Sequence, residues 1–166
     1  MSAARVRDIR KRLNAADPET LERLLLLMEP TAKPTSVQSA EDSAALLRPL
    51  LVGLDVEHLA VVFLNARLKV IACEVLSKGG VGHTVVCPRT IFRRAIVLGA
   101  HAIVLGHNHP SGDTSASAED IAVTERLLTA GAVLGVQVLD HLIVTNGGHL
   151  SMAQSGQMPT SRSRAF

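Results

Sequence analysis

The chain has 166 residues, 47% of them hydrophobic, a formal net charge of +2, and only three aromatic side chains, all Phe. That length and apolar fraction predict one domain of ordinary size with a real core, plus a small appendage. The scarcity of aromatic faces argues against a base-stacking nucleic-acid platform, and so small a net charge gives no global field for a polyanion.

The first stretch, Met1 to Leu13, sets Arg5, Arg7, Arg10, Lys11 and Arg12 against Asp8 and reads as a short basic helix with a solvated face. Asp17-Pro18 is a good helix start, and Leu21, Leu24, Leu25 and Met28 fall on one side of the helix that follows. Glu29 to Ser36, rich in Pro, Thr and Lys, reads as a linker. Residues 1–33 are therefore expected to form a short helical extension, 34–155 the main domain and 156–166 a disordered tail.

In the main domain Ser39 is placed to cap a helix from Ala40 to about Leu51, with Pro49 ending or kinking it. His58–Leu64 and Leu68–Leu76 are apolar on both faces, as expected of central strands, and Asn65-Ala66-Arg67 is the turn between them. Glu74 is an acid inside the second of these strands. A carboxylate among apolar neighbours is costly unless it reaches solvent or something cationic pairs with it. A Gly-rich loop, Ser77 to Gly82, lacks the Gly-Lys-Ser/Thr ending of a phosphate loop. His83 and a short strand, Thr84 to Val86, follow it. Pro88 then opens a helix to about Leu98, with Arg89, Arg93 and Arg94 on its outer side.

Ala102-Ile103-Val104-Leu105 reads as a strand leading into Gly106-His107-Asn108-His109-Pro110. Residues i and i+2 of an extended chain point to the same side, so His107 and His109 can aim at one point. After a polar loop comes Ser117, a helix N-cap, with Asp120 in the first turn. Two imidazoles and one carboxylate, with a fourth position open to water, are the ligand set of a catalytic zinc site. The helix from Ala118 is expected to reach about Thr129 with Ile121, Thr124 and Leu128 facing in, and Gly131 to Gly135 to form a turn. Val136–Val144 is a buried strand. It carries Asp140 and His141, of which only one can face a site, His141 being either a partner of that site or a core histidine. Asn146-Gly147-Gly148 turns the chain into a last strand, His149 to Met152.

Two cysteines in unlike settings, Cys73 and Cys87, fit a reduced, cytoplasmic protein. The basic N-terminus has no apolar stretch of signal-peptide type after it. Leu24 to Met28 is too short to span a bilayer, so no membrane role is expected.

The spacing His-x-His, seven residues, Ser, two residues, Asp resembles the JAMM (JAB, MPN+) metalloprotease motif. Val86-Cys87-Pro88-Arg89, Leu105 to Asp113 and Val138-Leu139-Asp140-His141 narrow the resemblance to the RadC branch, over roughly Val37 to Gln154. It implies an α/β, JAB/MPN (cytidine-deaminase-like) fold with a curved, mostly antiparallel sheet flanked by helices. It also implies one Zn2+ held by His107, His109 and Asp120, with Glu74 activating the water and Ser117 as a second oxyanion donor. The reaction implied is hydrolysis of a peptide, isopeptide or small amide. Members of that branch commonly carry a helix-hairpin-helix region before this domain. No Gly-rich hairpin of that type precedes the linker here, so a nucleic-acid partner is disfavoured. The competing class is a RadC-like DNA-repair-associated or protein-binding module that keeps the metal site as structure, which would rest on the basic N-terminus.

Overall fold

The structure, a computed structural model, describes residues 35–79 and 87–159. The two helices expected before residue 34, His83, the strand at 84–86 and the last seven residues lie outside that range. In chain order the described elements are α1 (Ala40–Leu51), β1 (His58–Leu64), β2 (Val70–Lys78), α2 (Pro88–Leu98), β3 (Ala102–Asn108), α3 (Ala118–Leu134), β4 (Gln137–Val144) and β5 (His149–Ser151). They form the expected mixed α/β architecture, one open five-stranded sheet in the order β2-β1-β3-β4-β5. Only β3 and β4 run parallel, and α3 connects them.

The sequence accounts for this layering. β1 and β3 are apolar at almost every position and are buried along their whole length, as strands covered on both faces must be. On one face α1 lays Leu47 and Leu51 over Ala60, Val62 and Val104. On the other, α2 and α3 bring Ile91, Phe92 and Leu127 onto Val61, Phe63 and Leu105. β2 was expected to be central, but it is an edge strand with mostly half-buried residues. Val70, Cys73 and Val75 pack on the α1 side and Ala72 and Leu76 on the other, while Ile71 stays 38% exposed.

Helix ends follow the capping residues. Ser39 accepts the Asp42 N–H at 3.1 Å, and Asp42 returns the bond to the Ser39 N–H, so α1 starts where the sequence places it. Pro49 lies within α1, which runs on to Leu51. The larger departure is α3, expected to stop near Thr129 but continuous to Leu134. Gly131 is not a breaker here. It is a close-approach position, where an added Cβ would sit 2.4 Å from the Val136 carbonyl oxygen. The true stop is Gly135, in the left-handed region at φ 71. Of the residues expected to face inward, Thr124 is fully buried and Leu128 packs on the core, while Ile121 is largely exposed. Beyond β5 the described chain continues to residue 159, and Met158 packs against the α2/α3 side of the core. No helix among the described residues is long and apolar enough to cross a membrane.

Candidate metal centre

β3 ends at the mouth of a cavity of about 1050 Å³, whose walls include Glu57, His107, His109, Ser117, Asp120 and His141. The His-x-His spacing works as the strand period predicts. The two Nε2 atoms stand 2.9 Å apart, with the rings edge-to-face. Asp120 arrives from the first turn of α3, its Oδ1 3.1 Å from His107 Nε2 and its Oδ2 3.5 Å from His109 Nε2. One ligand atom from each of the three lies within 4.8 Å of the others.

The surrounding hydrogen bonds fix which nitrogens carry protons. Thr124 Oγ1 donates its single hydrogen to the Asp120 carbonyl oxygen at 2.6 Å. It must therefore accept from His141 Nδ1–H at 2.7 Å. His141 is neutral, because burial, followed by the neighbouring His107, pushes its pKa down to about 3. Its Nε2 lone pair then accepts His107 Nδ1–H at 2.8 Å. On the other side, His109 Nδ1 donates to the Asp113 carbonyl at 2.7 Å. In the neutral rings both Nε2 atoms thus present lone pairs to each other and to a carboxylate. Three electron-rich atoms converge, and a cation between them resolves the repulsion. The donor set suits a metal ion with borderline nitrogen and oxygen preferences.

The carboxylate is held in the charged form. Burial alone would raise the Asp120 pKa, but its neighbours His107, His109 and Ser117 outweigh it and hold the group far below the usual carboxylate range. The Asp120 hydrogen bond, against the cost of burial, raises the His109 pKa. Ser117 makes the expected capping box. It accepts the Asp120 N–H at 3.1 Å, and its own N–H and Oγ–H both reach Asp120 Oδ2, at 2.8 and 2.6 Å. Oδ2 thereby takes two donors, and Oδ1 is turned to His107. In this arrangement the Ser117 hydroxyl hydrogen orients Asp120.

Four of the five expected site residues come together, and Glu74 does not join them. Glu74 pairs with Val61, which pairs with Leu105, two residues short of His107 and two strands away. At about 4.8 Å between strands and 3.4 Å per residue, that is about 12 Å of backbone separation. Arg94 on α2 binds both its carboxylate oxygens, Nε to Oε2 at 2.8 Å and Nη2 to Oε1, and this pairing lowers the Glu74 pKa. The cation that pairs with this half-exposed strand acid is this guanidinium.

Glu57, which sequence reasoning missed, lines the metal cavity, as do Asp113, Glu119 and Glu125. It precedes β1, two residues before Leu59, and Leu59 is the cross-strand partner of His107. Residues two apart share a sheet face, so Glu57 lies on the same side as His107, one strand over. Its charge also contributes to the raised pKa of His109. The usable signal was the antiparallel pairing, which sets the start of β1 level with the end of β3.

With this geometry in view, the RadC-like JAB domain family matches residues 37–157. The chain belongs to that family. It is 43% identical over 79% of its length to a UPF0758 protein of Caldanaerobacter subterraneus, covering 56% of that protein. It is 46% identical over 66% of its length to one from Symbiobacterium thermophilum, covering 47% of it, and 41% identical over 72% of its length to one from Methanococcoides burtonii, covering 52%. This RadC-like JAB chain spans about half the length of the curated relatives it matches.

Proposed function

We propose that the chain is a zinc-dependent amide hydrolase of the JAMM type, a metallopeptidase or isopeptidase, and that Glu57 rather than Glu74 is its general base. The observation that carries this reading is the convergence of two imidazole lone pairs and one carboxylate in an open cavity, with a further carboxylate on the cavity wall. His107, His109 and Asp120 would hold the zinc, which would supply a water with a pKa of about 7 and polarise a substrate carbonyl.

The remaining work falls to side chains of this chain. The Glu57 carboxylate accepts the proton of the attacking water and delivers it to the departing amine nitrogen. Asp113 and His141 hold the two histidines with Nε2 deprotonated, so neither ring must change tautomer to bind the ion. Ser117 keeps Asp120 Oδ1 facing inward. The Ser117 hydroxyl, which donates to Asp120 Oδ2, would turn to a developing oxyanion as its second donor.

The test joins metal and activity. Purified protein is analysed for zinc and offered a panel of peptide and isopeptide substrates, with His109→Ala and Glu57→Gln alongside. Zinc-dependent cleavage lost in both variants supports the reading. A wild type that takes up no zinc, or cleavage that survives a chelator, overturns it.

A further inference from the structure

Asn108 stands between the two histidines of the metal cluster, and its side chain belongs to the other side of the strand. It is 3% exposed, so its amide needs partners within the protein. All of them lie on the segment that leads into β1. Asn108 Oδ1 accepts the His58 N–H at 2.7 Å, and Nδ2 donates to the Val56 carbonyl at 3.1 Å and to the Leu54 carbonyl at 3.5 Å. Only one orientation of the amide meets this demand, because an N–H must be accepted and two carbonyls must be supplied with donors. The bonds bracket Glu57. Residue 56 is held on one side of it and residue 58 on the other. The Glu57 carbonyl accepts the Gly79 N–H at 2.8 Å.

We propose that Asn108 is a positioning residue for Glu57, locking the carboxylate to the same strand that presents the metal ligands. This rests on the reading that Glu57 is the acid of a metal site. Its chemistry is simple. A general base must hold its distance from the metal-held reactants to within about 0.5 Å. Glu57 precedes β1 and enters from a segment, Val52 to Glu57, outside the regular elements. A short side chain at position 108 would leave the histidines in place and release the acid. A hydroxyl or methyl group there cannot span to both Val56 and His58. The amide meets both with separate atoms, its oxygen accepting from His58 and its nitrogen donating to Val56.

The test needs no knowledge of the substrate. Acetohydroxamate binds a catalytic zinc and hydrogen-bonds to an adjacent carboxylate, so its affinity for the zinc-loaded full chain reports where the acid sits. Glu57→Gln should weaken it about 10- to 100-fold, the range for a hydrogen bond to a charged group. Asn108→Ala should weaken it by about 10-fold while zinc affinity, read by chelator competition, stays within about threefold. In the Glu57→Gln background Asn108→Ala should add nothing, because its effect passes through Glu57. If Asn108→Ala fails to fold, Asn108→Asp keeps the acceptor for His58 N–H, loses both donations, and should give the same weakening. Wild-type hydroxamate affinity in the position-108 variants overturns the inference and leaves the function standing. An equal loss in the Glu57→Gln background overturns it too, as the effect would then be structural. No effect of Glu57→Gln overturns the base assignment and this inference with it.

Discussion

Replacing His141 by Leu tests whether the buried chain Thr124–His141–His107 sets zinc affinity. The variant removes the acceptor of the His107 Nδ1–H, a bond of 2.8 Å at a residue 4% exposed. A buried N–H left unpaired costs about 1–3 kcal/mol. The metal-free protein can avoid most of that cost. His107 moves its proton to Nε2, where Asp120 Oδ1 waits 3.1 Å away. The zinc-bound protein cannot, because Nε2 must then carry the lone pair that binds the ion. The penalty therefore falls on the bound state, and zinc affinity should drop about 10- to 100-fold, equivalent to about 1.4–2.7 kcal/mol. Chelator competition measures it, with thermal melting of the metal-free protein as the control for folding. His141→Gln offers a carbonyl to His107 and an N–H to Thr124, and should recover most of the loss. Equal zinc affinity in wild type, His141→Leu and His141→Gln would refute the tautomer argument.

Elemental analysis should find about one zinc per chain in wild type and almost none in His109→Ala, in line with a three-ligand site. In a cleavage assay, Glu57→Gln should lower the rate about 100- to 10,000-fold, the usual contribution of general acid–base catalysis. Glu74→Gln should lower it by less than about tenfold, because that acid is spent on Arg94 at the sheet edge. Gly106→Ala should destabilise the fold by about 1–3 kcal/mol in urea unfolding, as its Cβ would meet Leu47 Cδ1 at 2.7 Å in a fully buried contact. Asp140→Ala should cost about 2–4 kcal/mol by the same measurement. It strips the acceptor from the N–H groups of His141 and Ala153 and from the Ser151 hydroxyl.

The two adjacent residues Asp140 and His141 show how far a sequence can be read. The strand period predicts that only one of them faces the metal centre, and that is so. His141 lines the cavity while Asp140 turns to the β5 turn. Ligand geometry was legible for the same reason. His107 and His109 are related by the strand repeat, and Ser117 and Asp120 by one helical turn, so short-range periodicity places each pair. Glu57 and Glu74 mark the limit. Both precede the histidines, and both sit in or beside an apolar strand. Only the pairing of β1 with β3, and the placing of β2 at the edge, decides between them. Strand order is a non-local property that no local pattern encodes. Gly131 failed for a related reason. A glycine in a helical run reads as a stop, yet here it answers to the carbonyl of Val136, just before the next strand, a contact that exists only in the folded molecule.

The segment between His109 and Ser117 joins the end of β3 to the crossover helix, and most of its residues are exposed. It is stapled at both ends by the ligands themselves. His109 Nδ1 holds the Asp113 carbonyl, and Asp120 holds the Ser117 N–H and hydroxyl. The three residues between those staples, Thr114 to Ala116, bear no ligand. Loop closure grows dearer only slowly with length, by about 0.6 kcal/mol per doubling. Insertions there would therefore reshape the rim of the cavity while the ligand geometry and the core stay as they are. This gives a lineage, or a designer, one stretch of chain in which selectivity can drift independently of chemistry.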